Sequence, residues 1–258
     1  MRPNVVKQNL KLGKRAFGTM VFEFDTPGIA RIAAGAGAEF VMYDTEHTGW
    51  GIETVRRLMA FHQATDTIPL VRVPAGEYHL IAPVLDAGAM GVMVPMVDDA
   101  EHARRIVSFA RYPPEGRRGA AFALAHDGYL AGDNPTKMRE ANDELLVIVQ
   151  IETKAGLANV DEIASVEGVD VLWIGQGDLS TALGVPYKLD HPDFVAAMDK
   201  VVAAAEQHGK TAAYAPTSLA EGTRRIEQGF RCVCYSGDLW IYGEALAGAL
   251  KALRQASA

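Results

Sequence analysis

Eight short apolar runs recur along the chain: AFGTMVF (16–22), EFVMYDT (39–45), IPLVRV (68–73), AMGVMVP (89–95), LLVIVQIE (145–152), VDVLWIG (169–175), KTAAYA (210–215) and FRCVCYS (230–236). Most are continuous rather than alternating. Strands read this way when both faces are buried, one under helices and the other inside a barrel. Between the runs the hydrophobic spacing becomes helical. In 98–110, Ala100, Ala103, Ile106, Val107 and Ala110 share a face, with Asp98 and Asp99 at the end where a helix dipole favours acids. In 193–208, Phe194, Met198, Val201, Val202 and Ala205 do the same. TGWGIETVRRLMAFHQ aligns Ile52, Val55, Leu58 and Met59, and the Thr-Ile-Pro beyond it stops that helix. The glycines of GIARIAAGAGAEF read as packing glycines. Strand and helix alternating eight times predict an α/β fold, a (β/α)8 TIM barrel, with residues 1–258 forming a single domain. An open doubly wound sheet would show fewer strands and often a glycine fingerprint after the first, and none follows 16–22.

One connection is unusually long. Residues 111–144 separate the fourth helix from the fifth strand, and a stretch of that length in a compact domain is usually functional. Its Arg117, Arg118, Phe122, His126 and Tyr129 are candidates to shape a substrate pocket.

A barrel of this kind builds its site at the carboxyl ends of its strands. Those ends are conspicuously polar here. The second delivers Asp44, Glu46 and His47, the third Arg72, the fifth Gln150 and Glu152, and the sixth runs into Asp178. Taken singly, each has an ordinary explanation: an ion-pair partner, a loop histidine, or a helix cap at Glu152 or Asp178. Taken together they place charge on four strand ends that converge on one mouth. Carboxylates from two strands, with water completing the shell, suit a hard divalent cation such as Mg²⁺ or Mn²⁺; Co²⁺ or Zn²⁺ stay open, although zinc favours several His or Cys ligands and only one His is placed to help. Arg72 offers a planar fork for a substrate carboxylate. A cation chelated by a 2-keto acid would polarise its carbonyl and stabilise an enolate, with His47 as proton carrier. No strand end supplies a Schiff-base lysine, since Lys154 falls in the first turn of the next helix.

Composition narrows the partners. With 25 Lys and Arg against 32 Asp and Glu, the net charge is −7, which argues against nucleic acid or an anionic membrane. Cys232 and Cys234, two apart, imply no disulfide framework and fit a reducing cytoplasm. No targeting segment or membrane-length apolar run is visible. His62, His79, His102, His191 and His208 fall on helices or loops, where solvation is the expectation.

YDTEHTGW, PLVRVP, LDAGAMGVMVPMV, RYPPEGRRG, VQIETKAGLANVDEIASVEGVDVLWIGQGDLSTALG and HGKTAA resemble, in order, the motifs of the HpcH/HpaI aldolases, metal-dependent (class II) pyruvate aldolases, over about residues 15–250. The resemblance implies reversible cleavage of a 4-hydroxy-2-keto acid into pyruvate, or a related 2-keto acid, and an aldehyde. It implies a homohexamer, a trimer of dimers, whose last helix is exchanged with a neighbour. By position, Glu152 and Asp178 match the metal ligands and Arg72 the residue that grips pyruvate. His47 matches the catalytic histidine, and Asp86 its acidic partner from an adjacent subunit. Asp44, Glu46 and Gln150 match polar residues lining the site. Two departures bear on substrate choice. Gly175-Gln176-Gly177-Asp178 replaces the family's Gly-Pro-Ala-Asp or Gly-Pro-Asn-Asp, so Gln176 and Gly177 would alter the surface against the keto acid. AYAPTS (213–218) replaces an aliphatic segment, so Tyr214 would bring a phenol to the aldehyde side. The rival readings are an oxaloacetate-decarboxylating enzyme that forms a carbon–carbon bond, a CoA-thioester lyase, for which no basic groove is evident, and a non-catalytic metabolite-binding barrel.

Overall fold

The computed structural model describes residues 2–257. Its strands are β1 (Ala16–Val21), β2 (Phe40–Asp44), β3 (Ile68–Arg72), β4 (Gly91–Val94), β5 (Leu146–Ile151), β6 (Val171–Ile174), β7 (Thr211–Tyr214) and β8 (Cys232–Gly237). They close a barrel in sequence order with every neighbouring pair parallel. Around it run α1 (Val5–Lys11), α2 (Ile29–Gly35), α3 (Ile52–His62), α4 (Tyr78–Asp86), α5 (Ala100–Ala110), α6 (Asn134–Glu144), α7 (Lys154–Ala158), α8 (Val160–Ser165), α9 (Gln176–Ala182), α10 (Pro192–Gln207), α11 (Leu219–Glu227) and α12 (Asp238–Ala256). Among the described residues, no helix is long and apolar enough to cross a membrane.

The continuous apolar runs have the predicted cause. Phe40 and Met42 point into the barrel beside Leu70, Met93, Ile148 and Trp173, while Val41 and Tyr43 face the helix layer. Strands such as β2 and β5, buried along their whole length, therefore feed two cores, which is why their runs are apolar on both faces until the strand end. Small residues make room where strands crowd. A side chain at Gly18 would strike the carbonyl of Phe40, and one at Gly91 the carbonyl of Leu146 at 2.7 Å.

Three features differ from the sequence reading. The N-terminal segment folds as α1, whose Val6 and Leu10 plug the amino-terminal end of the barrel interior. Asn4 ties that plug down, its amide donating to the carbonyls of Met90 (3.1 Å) and Glu144 (2.9 Å). The long connection is not structureless, since it holds a 3-10 turn at Ala125–Asp127 and all of α6. His62 is buried rather than solvated. It lies 2.6 Å from the Tyr43 hydroxyl, and burial drives its pKa down to about 4.

Candidate active site

Register brings the first pair of site residues together. Asp44 and Arg72 are cross-strand partners at the ends of β2 and β3. Arg72 Nε donates to Asp44 Oδ1 at 2.6 Å, and both residues are buried. The other Asp44 oxygen accepts the His47 backbone N–H at 2.9 Å, and Glu46 N–H reaches Oδ1 at 3.2 Å. One carboxylate thus orients the arginine and folds the following loop, as an Asp at the head of a tight turn commonly does. Glu46 turns back over the guanidinium, with its Oε2 3.2 Å from Arg72 Nε and 3.6 Å from His47 Nε2. Among the described residues Arg72 hydrogen-bonds through Nε, so its two terminal nitrogens can still donate to a ligand.

The second half of the site comes from β5 and β6. Glu152 follows Ile151 and is buried, accepting the Met96 backbone N–H at 2.7 Å and the Gln150 side-chain amide. Met96 reaches it from a left-handed backbone (φ 55°), a conformation costly for a non-glycine residue and frequent where a site dictates geometry. Gly175 passes so close that a side chain there would overlap the Glu152 carboxylate. Asp178 lies in the first turn of α9, exposed to the mouth. Neither acid is a helix cap: Thr153 caps α7 through Gly156 N–H, and Gly175 begins α9.

The electrostatics are those of an anionic cage. Burial raises the Glu152 carboxyl above its usual range; the Met96 N–H opposes this, and the charges of Glu46 and Asp178 push further up. Burial likewise raises Glu46, with Arg72 opposing and Asp44 and Asp178 adding to the rise. Glu46 Oε2 and Gln150 Oε1 are buried without a hydrogen-bond partner. Crowded carboxylates and orphaned oxygens are relieved by a hard cation, and the donors present are oxygens. Among the described residues no three His, Cys, Asp or Glu side chains are grouped closely enough to hold a metal. Two carboxylates with water completing the shell are the fit this set allows.

The structure thus brings together Asp44, Glu46, His47, Arg72, Gln150, Glu152, Gln176, Gly177 and Asp178. Gln176 spends its amide N–H on the carbonyl of Ala215 (2.7 Å), linking α9 to the end of β7. The Tyr187 hydroxyl stands against the bare Cα of Gly177, where a methyl group would lie 3.3 Å from it.

Tyr214 must be corrected. Strand alternation turns Ala213 into the barrel and Tyr214 into the helix layer, where it is fully buried and donates to Glu221 Oε1 at 2.7 Å. It does not line the mouth. Tyr214→Phe should leave kcat/KM unchanged and cost about 1–2 kcal/mol of stability by orphaning part of a buried carboxylate, read from urea unfolding. Within the long connection of 111–144, the candidates at residues 111–133 do not line the mouth of their own barrel. They follow the far end of α5, so they lie at the amino-terminal face, away from their own mouth. There Arg118 is buried against Asp86 (2.6 Å), with its guanidinium over the ring of Tyr112. Asp86, the last residue of α4, shares that face, so one chain does not bring it to His47. Sequence reasoning missed Met96, which acts through its backbone N–H, and the close approach of Gly175 to the Glu152 carboxylate, which no side chain announces.

The HpcH/HpaI aldolase/citrate lyase model matches residues 19–241. The chain is 35% identical over 239 residues to a hydroxypyruvate/pyruvate aldolase of Roseobacter denitrificans, covering 92% of this chain and 91% of that one. It is 33% identical over 243 residues to a 2-keto-3-deoxy-L-rhamnonate aldolase of Salmonella gallinarum, covering 94% and 90%. Its fold superposes on the crystal structure of an HpcH/HpaI aldolase from Desulfitobacterium hafniense with a TM-score of 0.92 at 30% identity, over 96% of each chain.

Proposed function

The chain belongs to the HpcH/HpaI aldolase/citrate lyase family and is a carbon–carbon lyase, and from that premise we propose that it reversibly cleaves a 4-hydroxy-2-keto acid into pyruvate, or a related 2-keto acid, and an aldehyde. The observation that carries this reading is an arginine fork held by Asp44 and Glu46 at the ends of β2 and β3, at the same barrel mouth where buried Glu152 packs against Gly175, three residues before Asp178. Glu152 and Asp178 would hold the divalent cation, Mg²⁺ or Mn²⁺ in the first instance and Co²⁺ or Zn²⁺ as alternatives. Such a cation supplies a Lewis acid for the keto oxygen and for the negative charge that develops during cleavage.

The chain's own residues do the rest. The terminal nitrogens of Arg72 bind the substrate carboxylate, and Asp44, held on the Nε edge, fixes the plane of the fork. Gln150, Gly177 and Asp178 form the surface against the keto acid, while Glu46, whose Oε2 lacks a hydrogen-bond partner, would hold ordered water beside Asp44. In cleavage His47 accepts the proton of the C4 hydroxyl. The C3–C4 bond then breaks, C4 becomes the aldehyde carbonyl, and the electron pair left at C3 is taken up by a proton to give the methyl group of pyruvate.

The acidic partner of His47 would be Asp86 from another copy, because Asp86 lies at the far end of its own barrel. Assembly has a surface to explain. Tyr242, Leu246, Leu250 and Leu253 form an exposed apolar stripe on α12. An apolar cavity of about 570 Å³ opens between α2, the outward side of β1 and α12. Exchange of α12 between copies would cover both and fits a homohexamer built as a trimer of dimers. Cys232 and Cys234, buried and unpaired, fit a cytoplasmic setting.

The proposed reaction is tested with 2-keto-3-deoxy-L-rhamnonate as substrate, following pyruvate release through lactate dehydrogenase. Release that stops with chelator and returns with Mg²⁺ or Mn²⁺ is the expected result. Release that survives exhaustive chelation would contradict the proposed role of Glu152 and Asp178.

A further inference from the structure

We propose that Phe22 and Trp240 form an acceptor-selecting wall at the barrel mouth, and that the acceptor it favours is an aldehyde with an apolar or aromatic substituent. The proposal rests on the aldolase reading above and deepens it. Phe22 follows the last residue of β1, and Trp240 lies in the first turn of α12, just after β8. Closure of the barrel makes these neighbours, and the two rings meet edge to face, with centroids 4.9 Å apart and planes at 68°.

Several features hold the pair in place. A side chain at Gly237 would come within 2.8 Å of the Trp240 ring and 2.9 Å of Phe22, so the rings close over a position that only glycine can fill. The buried Asp238 carboxylate accepts the backbone N–H groups of Phe22 (3.0 Å), Glu23 (3.0 Å) and Phe24 (2.7 Å), pinning the loop after β1 to the head of α12. The wall is therefore built rather than incidental.

It also points at the reaction. Phe22 packs against the barrel-interior cluster, not the helix layer. The guanidinium of Arg72 lies over its ring at 5.9 Å, so the ring borders the place assigned to the keto-acid carboxylate. Trp240 extends the same surface outward and remains 52% exposed. It lies about a third of a turn off the apolar stripe of α12, whose cover was assigned to a neighbouring copy. A half-exposed indole beside a cation-binding mouth leaves apolar area that a flat or aliphatic substituent can cover. At the usual value per unit of apolar area, covering half a tryptophan ring is worth about tenfold or more in binding.

Trp240→Ala, Trp240→Leu and Phe22→Leu would be compared with the parent, using pyruvate as donor and either benzaldehyde or glyceraldehyde as acceptor. Exchange of the pyruvate methyl protons in D₂O, which needs no acceptor, is read in parallel. Trp240→Ala should lower kcat/KM for benzaldehyde by about tenfold or more, carried mainly by KM. Glyceraldehyde turnover and proton exchange should hold, and the two leucine variants should lose less. Equal losses for both aldehydes, or unchanged benzaldehyde kinetics with exchange intact, would overturn the wall. Absence of exchange in the parent protein would overturn the aldolase reading beneath it, so the two failures are distinguishable.

Discussion

Glu152→Gln is expected to lower kcat/KM by about three orders of magnitude, or roughly 4 kcal/mol of lost transition-state stabilisation. The substitution is nearly isosteric, and an amide oxygen can still accept the Met96 N–H. What it removes is one of two carboxylates proposed to hold the cation. The fold should not suffer. Glu152 is buried beside Glu46 and Asp178, and its raised pKa records how unfavourable its charge is there. Neutralising it relieves that repulsion, so the melting temperature should hold or rise while Mn²⁺ binding, measured by calorimetry, disappears. An inactive variant that is more stable than its parent is the expected mark of a site held at the expense of the fold. Retained Mn²⁺ affinity with near-parental turnover would contradict the assignment.

Arg72 presents the opposite case, since it serves both stability and chemistry. Its Nε edge neutralises a fully buried Asp44, and the same head lies beside Glu46. Arg72→Ala should cost about 3–5 kcal/mol of stability, because it leaves a buried carboxylate without its partner. Arg72→Lys keeps the charge but loses the planar fork, so it should fold and still lose about a hundredfold in kcat/KM, borne largely by KM for the keto acid. Urea unfolding and steady-state kinetics on the two variants separate these effects. If the lysine variant kept its KM, the substrate carboxylate would not be bound at the terminal nitrogens.

The fold was legible because parallel strands buried on two faces cannot hide. Every apolar run became a strand, with ends moved by one or two residues, as at 89–95, which shortens to Gly91–Val94. Helices with a clear apolar face were equally plain: Asp99 caps α5 by accepting the His102 N–H, close to where the acids of 98–110 pointed. What escaped were elements whose burial is not written in hydrophobic spacing. In α6 only Ala141 and Asn142 are buried, so its sequence reads as loop. The plug α1 is seven residues long and buries Lys7, whose ammonium is held by the carbonyl of Leu145.

The site divides along the same line. Side chains at strand ends could be read in order, and the register of β2 on β3 places Asp44 opposite Arg72. Tyr214 failed on parity, because in AAYA nothing local says which alanine faces inward. Asp86 came only from resemblance, since an acid at the end of a helix has no local reason to look catalytic. The Phe22–Trp240 pair depends on closing the first strand onto the last, which no local pattern can foresee.

The most direct test of the account is exchange of the pyruvate methyl protons in D₂O, followed by NMR with Mg²⁺, with Mn²⁺ at a level low enough to keep the resonance visible, and with chelator. Exchange should require a divalent cation and, at sub-saturating pyruvate, fall about a hundredfold in Arg72→Lys, with no aldehyde present. No exchange with any divalent cation, or exchange indifferent to chelator and to Arg72, would contradict the account.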